Sequence, residues 1–476
     1  MYGTGSLADL SATELLPLFR RKELSPVEVT KAVIARIDAL QDRFHPFCHI
    51  DREAALADAA ASEARWQAGT PLGLVDGVPT TVKDLVLTKG WPTLRGSLTV
   101  DPSQPWSDDA PAVARLREHG AVLLGKTCTP EFGWKAVCDS PGEGATRNPW
   151  NADMTTGGSS GGAAAAASLG MGCLHIGTDG GGSIRVPSAF TGVFGHKPTF
   201  GLVPAYPLSP FGRVAHLGPM TRSVADAARM LTVMSEPDAR DWHSMPYMGR
   251  DFSIGLDSGV KGMRIALSVT LGYAQVDPQV RDRVIAAANA LADMGAIVEE
   301  CDPGFADTKA LFEAHWFSGA ANLRRSIPKE KWPLIDPGLM RFADRGEAIG
   351  HMAYLQAMDE CGALGSHMAM FHERFDVLLT PTVPIPAFEV NRVTPAGSDD
   401  EGNWIQWASF SNPFNLTQQP SASVPCGVTS DGLPVGLQIT GAKYRDDLVL
   451  RVARAYESVM PVAAPPILQE EASNAV

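Results

Sequence analysis

Residues 155–188 read TTGGSSGGAAAAASLGMGCLHIGTDGGGSIRVPS, and this stretch contains two serine-bearing clusters of glycine, at 157–162 and at 180–183. Glycine has no side chain to cover neighbouring backbone N–H groups, and it tolerates a positive φ. A serine in such a run can attack a carbonyl group while those N–H groups stabilise the oxygen that becomes anionic. The two clusters, 24 residues apart from Ser159 to Ser183, indicate nucleophilic serine chemistry.

A serine nucleophile needs a base, and histidine is the usual one. His175 follows an apolar stretch and His196 lies in Gly-His-Lys-Pro, so both are interpreted as structural histidines. Lys83 instead ends the run Val-Pro-Thr-Thr-Val-Lys, which is typical of a buried strand. Burial lowers the pKa of a lysine, and a shift from about 10.4 to about 7 costs on the order of 5 kcal/mol. Lys83 is therefore the predicted general base.

Further motifs surround these residues. They are GVPTTVKD at 77–84, GKTCTPEF at 125–132, TRNPWN at 146–151 and GHKPT at 195–199, with weaker matches in DVLLTPT at 376–382 and PSASVPCG at 420–427. In this order, together with the two serine clusters, they resemble the amidase signature family of hydrolases. The resemblance is detailed from about 70 to 205 and extends in outline to nearly the whole chain. It implies hydrolysis of a carboxylic amide through an acyl-enzyme, with release of ammonia or an amine.

The resemblance also implies a Ser–cis-Ser–Lys triad. Ser183 resembles the nucleophile, Ser159 the bridging serine whose peptide bond to Gly158 is cis, and Lys83 the general base. The proton path would run from Ser183 through Ser159 to Lys83. Ser160 competes for the bridging position, and the offset of 24 residues to Ser183 favours Ser159.

The second serine cluster supplies the expected oxyanion donors. These are the backbone N–H groups of Gly180, Gly181, Gly182 and Ser183. Many members of the family carry a larger aliphatic residue where Gly180 stands, so this loop has an additional glycine. Three neighbours are expected to support the loop, with Asp179 and Arg185 pairing across it and Thr178 lying below it.

Two other motif matches are not interpreted as functional. Residues 157–161 satisfy the G-x-S-x-G nucleophile elbow, but a polar, proline-bearing loop precedes them instead of a buried strand. Residues 120–127 satisfy the phosphate-binding pattern G-x-x-x-x-G-K-[ST]. Their central residues form an apolar strand-like run and not a bare loop, so nucleotide binding is not predicted.

Composition narrows the class of protein. The chain has 476 residues, a hydrophobic content of 45% and a net charge of −13 without a basic run, which argues against nucleic-acid binding. It contains no apolar run of about 18 residues and no basic-then-apolar leader, so neither a membrane span nor a signal peptide is predicted, and a cytoplasmic location is expected. The seven cysteines are scattered without a C-x-x-C pair, so reduced thiols, no metal site and no cofactor are expected.

Short apolar runs alternate with helical ones from about 76 to 230 and again from 262 to 301, a pattern typical of α/β layering. Together with the resemblance, it predicts an α/β fold with a single large mixed β-sheet covered by helices on both faces. One amidase domain is expected over 1–476. Its parts would be an N-terminal helical cover at 5–70, a catalytic core at 70–230 and a helical substrate-side region at 305–374.

Helix starts are marked by capping residues. Ser11 is followed three residues later by Glu14, and Ser25 by Glu28 with Pro26 between them. Asp277 stands before the helical run at 278–294. Helices are therefore predicted to begin after Ser11, Ser25 and Asp277.

Aromatic residues outside the signature motifs suggest the substrate. The predicted pocket residues are Trp134, Cys138, Trp316 and Phe317, and Trp404 and Trp407 are further aromatic candidates. Together they favour a small amide that is non-polar or aryl over a charged one.

Three alternatives remain open. The glutamine-hydrolysing component of a tRNA amidotransferase shares the catalytic motifs, but residues 407–413 lack the acidic residue that would balance the ammonium group of glutamine. A non-catalytic relative is disfavoured by the presence of Lys83, Ser159 and Ser183. An ester-specific hydrolase would use the same acyl-enzyme chemistry. A homodimer is expected only by analogy with the family.

Overall fold

The computed structural model describes residues 5–469. The strands are β1 (Phe47–Ile50), β2 (Pro79–Lys83), β3 (Val122–Thr127), β4 (Asp139–Ser140), β5 (Gly144–Ala145), β6 (Arg147–Asn148), β7 (Asn151–Thr155), β8 (Leu174–Asp179), β9 (Phe194–Lys197), β10 (His216–Thr221), β11 (Arg264–Leu267), β12 (Ile297–Glu300), β13 (Val377–Pro381), β14 (Ser421–Val428) and β15 (Pro434–Gly441). The α-helices are α1 (Ala12–Arg21), α2 (Pro26–Phe44), α3 (Arg52–Ala68), α4 (Pro111–Glu118), α5 (Gly161–Ser168), α6 (Arg185–Thr191), α7 (Val224–Met234), α8 (Pro278–Asp293), α9 (Lys309–Arg325), α10 (Pro337–Glu347), α11 (His351–Phe371), α12 (Pro413–Leu416) and α13 (Asp446–Val459). Short 3₁₀ helices lie at Leu7–Asp9, Glu131–Gly133, Gly212–Val214, Lys329–Leu334 and Trp404–Gln406.

One sheet of 11 strands runs through the molecule in the order β1-β3-β2-β8-β10-β9-β14-β15-β13-β11-β12. It is mixed, because β2 pairs in parallel with β3 and β8, and β11 pairs in parallel with β12 and β13, whereas the other neighbours are antiparallel. The prediction of an α/β fold around one large mixed sheet is therefore confirmed. The single-domain prediction for 1–476 includes residues outside the described range and stays a prediction.

The predicted helix starts are confirmed. Ser11 and Ser25 each form a capping box with the glutamate three residues later, and Pro26 occupies the first turn of α2. The carboxylate of Asp277 accepts the N–H of Gln279 at the start of α8. Each cap satisfies backbone N–H groups that have no partner within the helix.

The N-terminal cover differs from its prediction at one point. Residues 5–70 were expected to be helical, but β1 separates α2 from α3. This strand pairs antiparallel with β3 at the edge of the sheet. Four residues carry too little periodicity to show a strand, and the pairing comes from residues about 75 positions further along the chain.

The parallel pairing of β2 with β8 positions the signature residues. Val82 is in register with Ile176, so Lys83 at the carboxyl end of β2 lies beside the carboxyl end of β8. Parallel strands bring their carboxyl ends to the same edge of a sheet, where ligands of α/β proteins commonly bind. The turn after β8 carries Ser183, and Ser159 lies just before α5.

The buried apolar side chains form one large cluster and several smaller ones. The large cluster joins the sheet to helices that include α2, α4, α7, α8 and α13. A second cluster is rich in rings and is called here the aromatic cluster. Its large aromatic members are Phe132, Trp134, Phe190, Phe211, Phe312, Trp316, Phe317, Phe342, Phe388, Trp404 and Trp407. Among residues 5–469, no helix combines the length and apolar character needed to cross a bilayer.

Candidate active site

Lys83 is fully buried at the end of β2 and faces three hydroxyl groups. Its Nζ lies 2.7 Å from Ser159 Oγ, 2.8 Å from Ser160 Oγ and 2.8 Å from Thr178 Oγ1. Within residues 5–469, Lys83 forms no ion pair with a carboxylate. Thr178 was expected to support the loop from below, and the structure places its hydroxyl directly on the lysine.

Burial lowers the pKa of Lys83 to about 7, because removal from water penalises the ammonium form. Cys138 and Asp179 act in the opposite direction and are outweighed. A substantial share of the side chain is therefore the neutral amine near neutral pH. Only that form can accept a proton from a hydroxyl group.

The two serines of the first cluster have different surroundings. The Gly158–Ser159 peptide bond is cis, as the resemblance implies. Ser160 Oγ donates to the carbonyl of Thr178 at 3.0 Å and accepts the N–H of Thr178 at 3.2 Å. Ser159 Oγ contacts Lys83 alone among the polar groups of residues 5–469, and it borders a cavity.

Ser183 lies in the turn between β8 and α6 and lines the same cavity as Ser159. Its carbonyl oxygen accepts the N–H of Ser160 at 3.1 Å, so the two serine clusters are in direct contact. Its side chain is nearly buried but reaches the cavity, and its hydroxyl makes no hydrogen bond to another residue within 5–469. The structure thus brings the three predicted residues to one end of the cavity.

The loop after β8 presents free backbone donors. In the part of the chain that the structure describes, the N–H groups of Gly180, Gly181 and Ser183 make no hydrogen bond. Gly182 departs from the predicted set, because its N–H already donates to the carboxylate of Asp179 at 2.7 Å. The remaining donors could receive a negatively charged oxygen.

The glycines of this loop permit close approach of the aromatic cluster. A Cβ atom on Gly180 would lie 2.8 Å from the ring of Trp316, and one on Gly181 would lie 2.5 Å from the ring of Phe312. Such distances are too short for any side chain. The additional glycine at 180 is therefore explained by packing against Trp316.

Asp179 and Arg185 form the predicted pair, and both are fully buried. The guanidinium meets the carboxylate through Nε to Oδ2 and Nη2 to Oδ1, each at 3.0 Å. Burial alone would raise the pKa of Asp179, but the charge and hydrogen bonds of Arg185 outweigh it and hold the pKa well below its usual value. The arginine also donates to the carbonyl of Ser411 at 2.9 Å, to Gln438 at 2.8 Å and to Asn415 at 2.6 Å.

The cavity beside the serines has a volume of about 210 Å³. Its wall is mainly apolar and aromatic, and includes Leu85, Phe132, Phe200, Tyr206, Phe211 and Trp316. Polar side chains also contribute, among them Arg95, Asp179 and His216. Such a space suits a small organic molecule with an apolar part.

Of the four predicted pocket residues, Trp316 lines the cavity. Trp134, Cys138 and Phe317 lie outside its wall and are buried in packing contacts. The carbonyl of Trp134 accepts the indole N–H groups of Trp316 at 3.0 Å and Trp404 at 2.8 Å, so Trp134 supports the wall from behind. Burial raises the pKa of the Cys138 thiol to about 11, which keeps it protonated.

The two histidines near the clusters have other partners. His175 Nδ1 lies 2.8 Å from Thr81 Oγ1, and burial lowers the pKa of this imidazole to about 3. His196 Nε2 lies 3.0 Å from Asp446 Oδ1. Neither histidine lines the cavity, as expected for structural histidines.

Some residues at the site had no signal in the sequence. Asn415 and Gln438 hold Arg185 from 230 and 253 residues further along the chain, and Arg95 enters the cavity wall from an irregular segment. One group of potential metal ligands also exists. The donor atoms of His45, Cys128 and Glu143 lie within 4.8 Å of one another, and none of the three residues lines the cavity.

Comparison with known proteins identifies the family. The family model described as Amidase matches residues 28–450. The chain is 36% identical over 465 residues to an acylamidase of Rhodococcus erythropolis, with 95% of this chain and 96% of that protein covered. It is 34% identical over 479 residues to the GatA-type component of the glutamyl-tRNA(Gln) amidotransferase of Myxococcus xanthus, with 95% and 97% covered.

Solved structures agree with these relatives. A bacterial aryl acylamidase of the amidase signature family superposes with a TM-score of 0.88 at 30% identity and covers 98% of both chains. A 6-aminohexanoate cyclic dimer hydrolase superposes with a TM-score of 0.88 at 29% identity, covering 97% of this chain and 99% of the other. The chain therefore belongs to the amidase signature family and is a hydrolase that acts on the carbon–nitrogen bonds of amides.

Proposed function

We propose that this protein hydrolyses a small apolar or aryl carboxylic amide, with Ser183 as nucleophile, Ser159 as proton relay and Lys83 as general base. The observation that carries the proposal is the contact of a buried lysine with hydroxyl groups alone. An amine in this setting can exchange a proton with a hydroxyl in either direction. A lysine that only stabilised the fold would be expected to face a carboxylate.

In the proposed first half-reaction, the Ser183 hydroxyl passes its proton to Ser159, which passes its own to the neutral amine of Lys83. The Ser183 oxygen attacks the amide carbon, and the N–H groups of Gly180, Gly181 and Ser183 stabilise the resulting oxyanion. The Lys83 ammonium then returns the proton through Ser159 to the leaving nitrogen. The carbon–nitrogen bond breaks, the amine departs, and an acyl-enzyme remains.

In the second half-reaction, water takes the place of the amine. Its proton follows the same relay to Lys83 while its oxygen attacks the acyl carbon. The tetrahedral intermediate collapses, the bond to Ser183 breaks, and the relay returns the proton to the serine oxygen. The carboxylic acid product leaves, and all three side chains regain their starting states.

The cavity supports an apolar or aryl amide over glutamine. Glutamine carries an α-ammonium group that needs a counter-charge when it is buried. Of the two carboxylates in the wall, Asp179 is paired with Arg185, and Asp241 accepts the N–H groups of Ala205 and His243, each at 2.8 Å. The rings of Phe132, Phe211 and Trp316 instead offer contact area for an aromatic group.

A fluorophosphonate probe and an anilide panel test this proposal together. Intact-mass analysis should show one adduct on the wild type and none on Ser183→Ala, and the wild type should hydrolyse acetanilides much faster than glutamine. Ser209→Ala is the matched control, because Ser209 lines the same cavity outside the triad. Labelling of Ser183→Ala, or a preference for glutamine, would overturn the assignment.

A further inference from the structure

Arg95 is a charged side chain in the cavity wall. It lines the cavity together with Ser159, Ser183 and Phe132, and it also borders a second cavity on the other side of Phe132. Within residues 5–469, its guanidinium forms neither an ion pair nor a hydrogen bond. The acid nearest to the serines is already engaged, since Asp179 pairs with Arg185.

The backbone of Arg95 is held firmly. Its φ is 59°, a left-handed conformation that is uncommon for a residue other than glycine and that tends to occur at functional sites. Its carbonyl accepts the N–H of Phe132 at 2.7 Å, and the next residue, Gly96, donates its N–H to Asp84 at 3.3 Å. These contacts fix where the side chain leaves the main chain.

Asp84 does not neutralise Arg95. Its carboxylate is occupied by the backbone N–H groups of Arg95 and Gly96, and it lies 3.8 Å from the buried ammonium of Lys126. Burial lowers the pKa of Arg95, as expected for a cation with restricted access to water. A partly buried guanidinium without a counter-charge is unfavourable, and a ligand oxygen would remove that cost.

The position of Arg95 relative to the serines suits a single small molecule. A Cβ atom on Gly133 would lie 3.2 Å from Ser159 Oγ, so Gly133 borders the triad. The preceding residue, Phe132, donates its N–H to the Arg95 carbonyl. Two consecutive residues therefore connect the reactive end of the cavity to the guanidinium.

We propose that Arg95 binds a carboxylate carried by the substrate, so that the preferred substrates are apolar or aryl amides with an acidic group remote from the scissile bond. This proposal rests on the proposed function. A guanidinium binds a carboxylate through two parallel N–H···O bonds, which selects orientation as well as charge. The aromatic wall would hold the apolar part between the two ends.

Two pairs of substrates test the proposal, one pair for each side of the scissile bond. In each pair a methyl ketone replaces the carboxylate at similar size. The pairs are 4-acetamidobenzoate with 4-acetamidoacetophenone, and N-phenylglutaramic acid with 5-oxohexananilide. We expect kcat/KM of the wild type to favour the acid in one pair by about tenfold or more, the range of a charge-assisted hydrogen bond.

Arg95→Gln should remove this preference through KM of the acid, and leave kcat/KM of the ketone within about threefold, since charge-assisted bonding is all that is lost. Arg95→Lys should keep part of the preference. The matched control is Arg240→Gln, because Arg240 stands over Tyr206 of the cavity wall and is already paired with Asp238. Equal losses for acid and ketone in Arg95→Gln, or a wild-type preference for the ketone in both pairs, would overturn the proposal.

Binding separates this proposal from the proposed function. Affinity of the two acids for Ser183→Ala and for the Ser183→Ala/Arg95→Gln double variant can be measured by titration calorimetry, with thermal unfolding as a check of folding. A loss of about tenfold in the affinity of an acid on removing Arg95 supports the carboxylate site even if no amide is cleaved. Equal affinities would overturn it even if amides are cleaved well.

Discussion

Two neighbouring strands each carry a fully buried lysine, and the two surroundings differ in one respect. Lys83 on β2 faces the hydroxyl groups of Ser159, Ser160 and Thr178. Lys126 on β3 donates to the main-chain carbonyl of Val86 and to two threonine hydroxyls, and it lies 3.8 Å from Asp84. Burial lowers both pKa values, to about 7 for Lys83 and to about 8 for Lys126, where Asp84 acts against it.

The comparison teaches that burial alone does not make a base. A carbonyl or carboxylate oxygen only accepts hydrogen bonds, so it favours the ammonium form of Lys126. A hydroxyl group accepts from an ammonium and donates to an amine, so the partners of Lys83 satisfy both protonation states. An amine that must gain and lose a proton in each turnover requires the second kind of surroundings.

The largest effect should separate the two lysines by function. Lys83→Met should lower kcat/KM for an anilide by about 10³-fold or more, because the general base is lost, without lowering the stability of the fold. Lys126→Met should lower the free energy of unfolding by about 3 kcal/mol, because Asp84 is left buried and unpaired, while activity per labelled Ser183 stays near that of the wild type. Urea unfolding and fluorophosphonate titration measure both. Similar activity losses per active site in the two variants would break the comparison.

The next effect should separate the two serines that contact Lys83. Ser160 Oγ already donates to the carbonyl of Thr178, whereas Ser159 Oγ is free to receive a proton from the cavity side. Ser159→Ala should therefore lower kcat by about 10²-fold or more, and Ser160→Ala by about tenfold or less. Steady-state kinetics on folded protein decide this, and the reverse order would assign the relay to Ser160.

The smallest effect concerns the pH profile. In the wild type, kcat/KM should rise with pH and reach half its maximum near the pKa of Lys83, about 7, because the neutral amine is the active form. Thr178→Val removes an acceptor of the ammonium, which lowers this pKa and moves the acid limb down by about one pH unit or less. Thr178→Ser keeps the hydroxyl and should leave the limb in place. A shift to higher pH in Thr178→Val would contradict the hydroxyl argument.

The parts of the site that the sequence predicts are those with a local pattern. The strand ending at Lys83 and the glycine runs around Ser159 and Ser183 are each readable within about ten residues. The alternation of short apolar and helical runs likewise predicts the mixed sheet. The edge strand β1 is missed because four residues cannot show periodicity and its partner is distant in sequence.

Side-chain direction explains most of the remaining differences. Trp316 and Phe317 are consecutive on α9, and only Trp316 reaches the cavity. Neighbouring helical residues point about 100° apart, so one of two adjacent aromatic residues faces away, and the sequence does not tell which. The use of the Gly182 N–H by Asp179 is equally invisible in a run of glycines.

The hydrogen bonds of Arg185 have a consequence for how this enzyme is built. They join the serine loop to Ser411, Asn415 and Gln438, which lie in the final quarter of the chain. The reactive loop consequently acquires its shape only once the last strands have been added to the sheet. A fragment that ends after the signature motifs would carry every proposed reacting group and still be inert, so a nascent chain gains hydrolytic power only on completion.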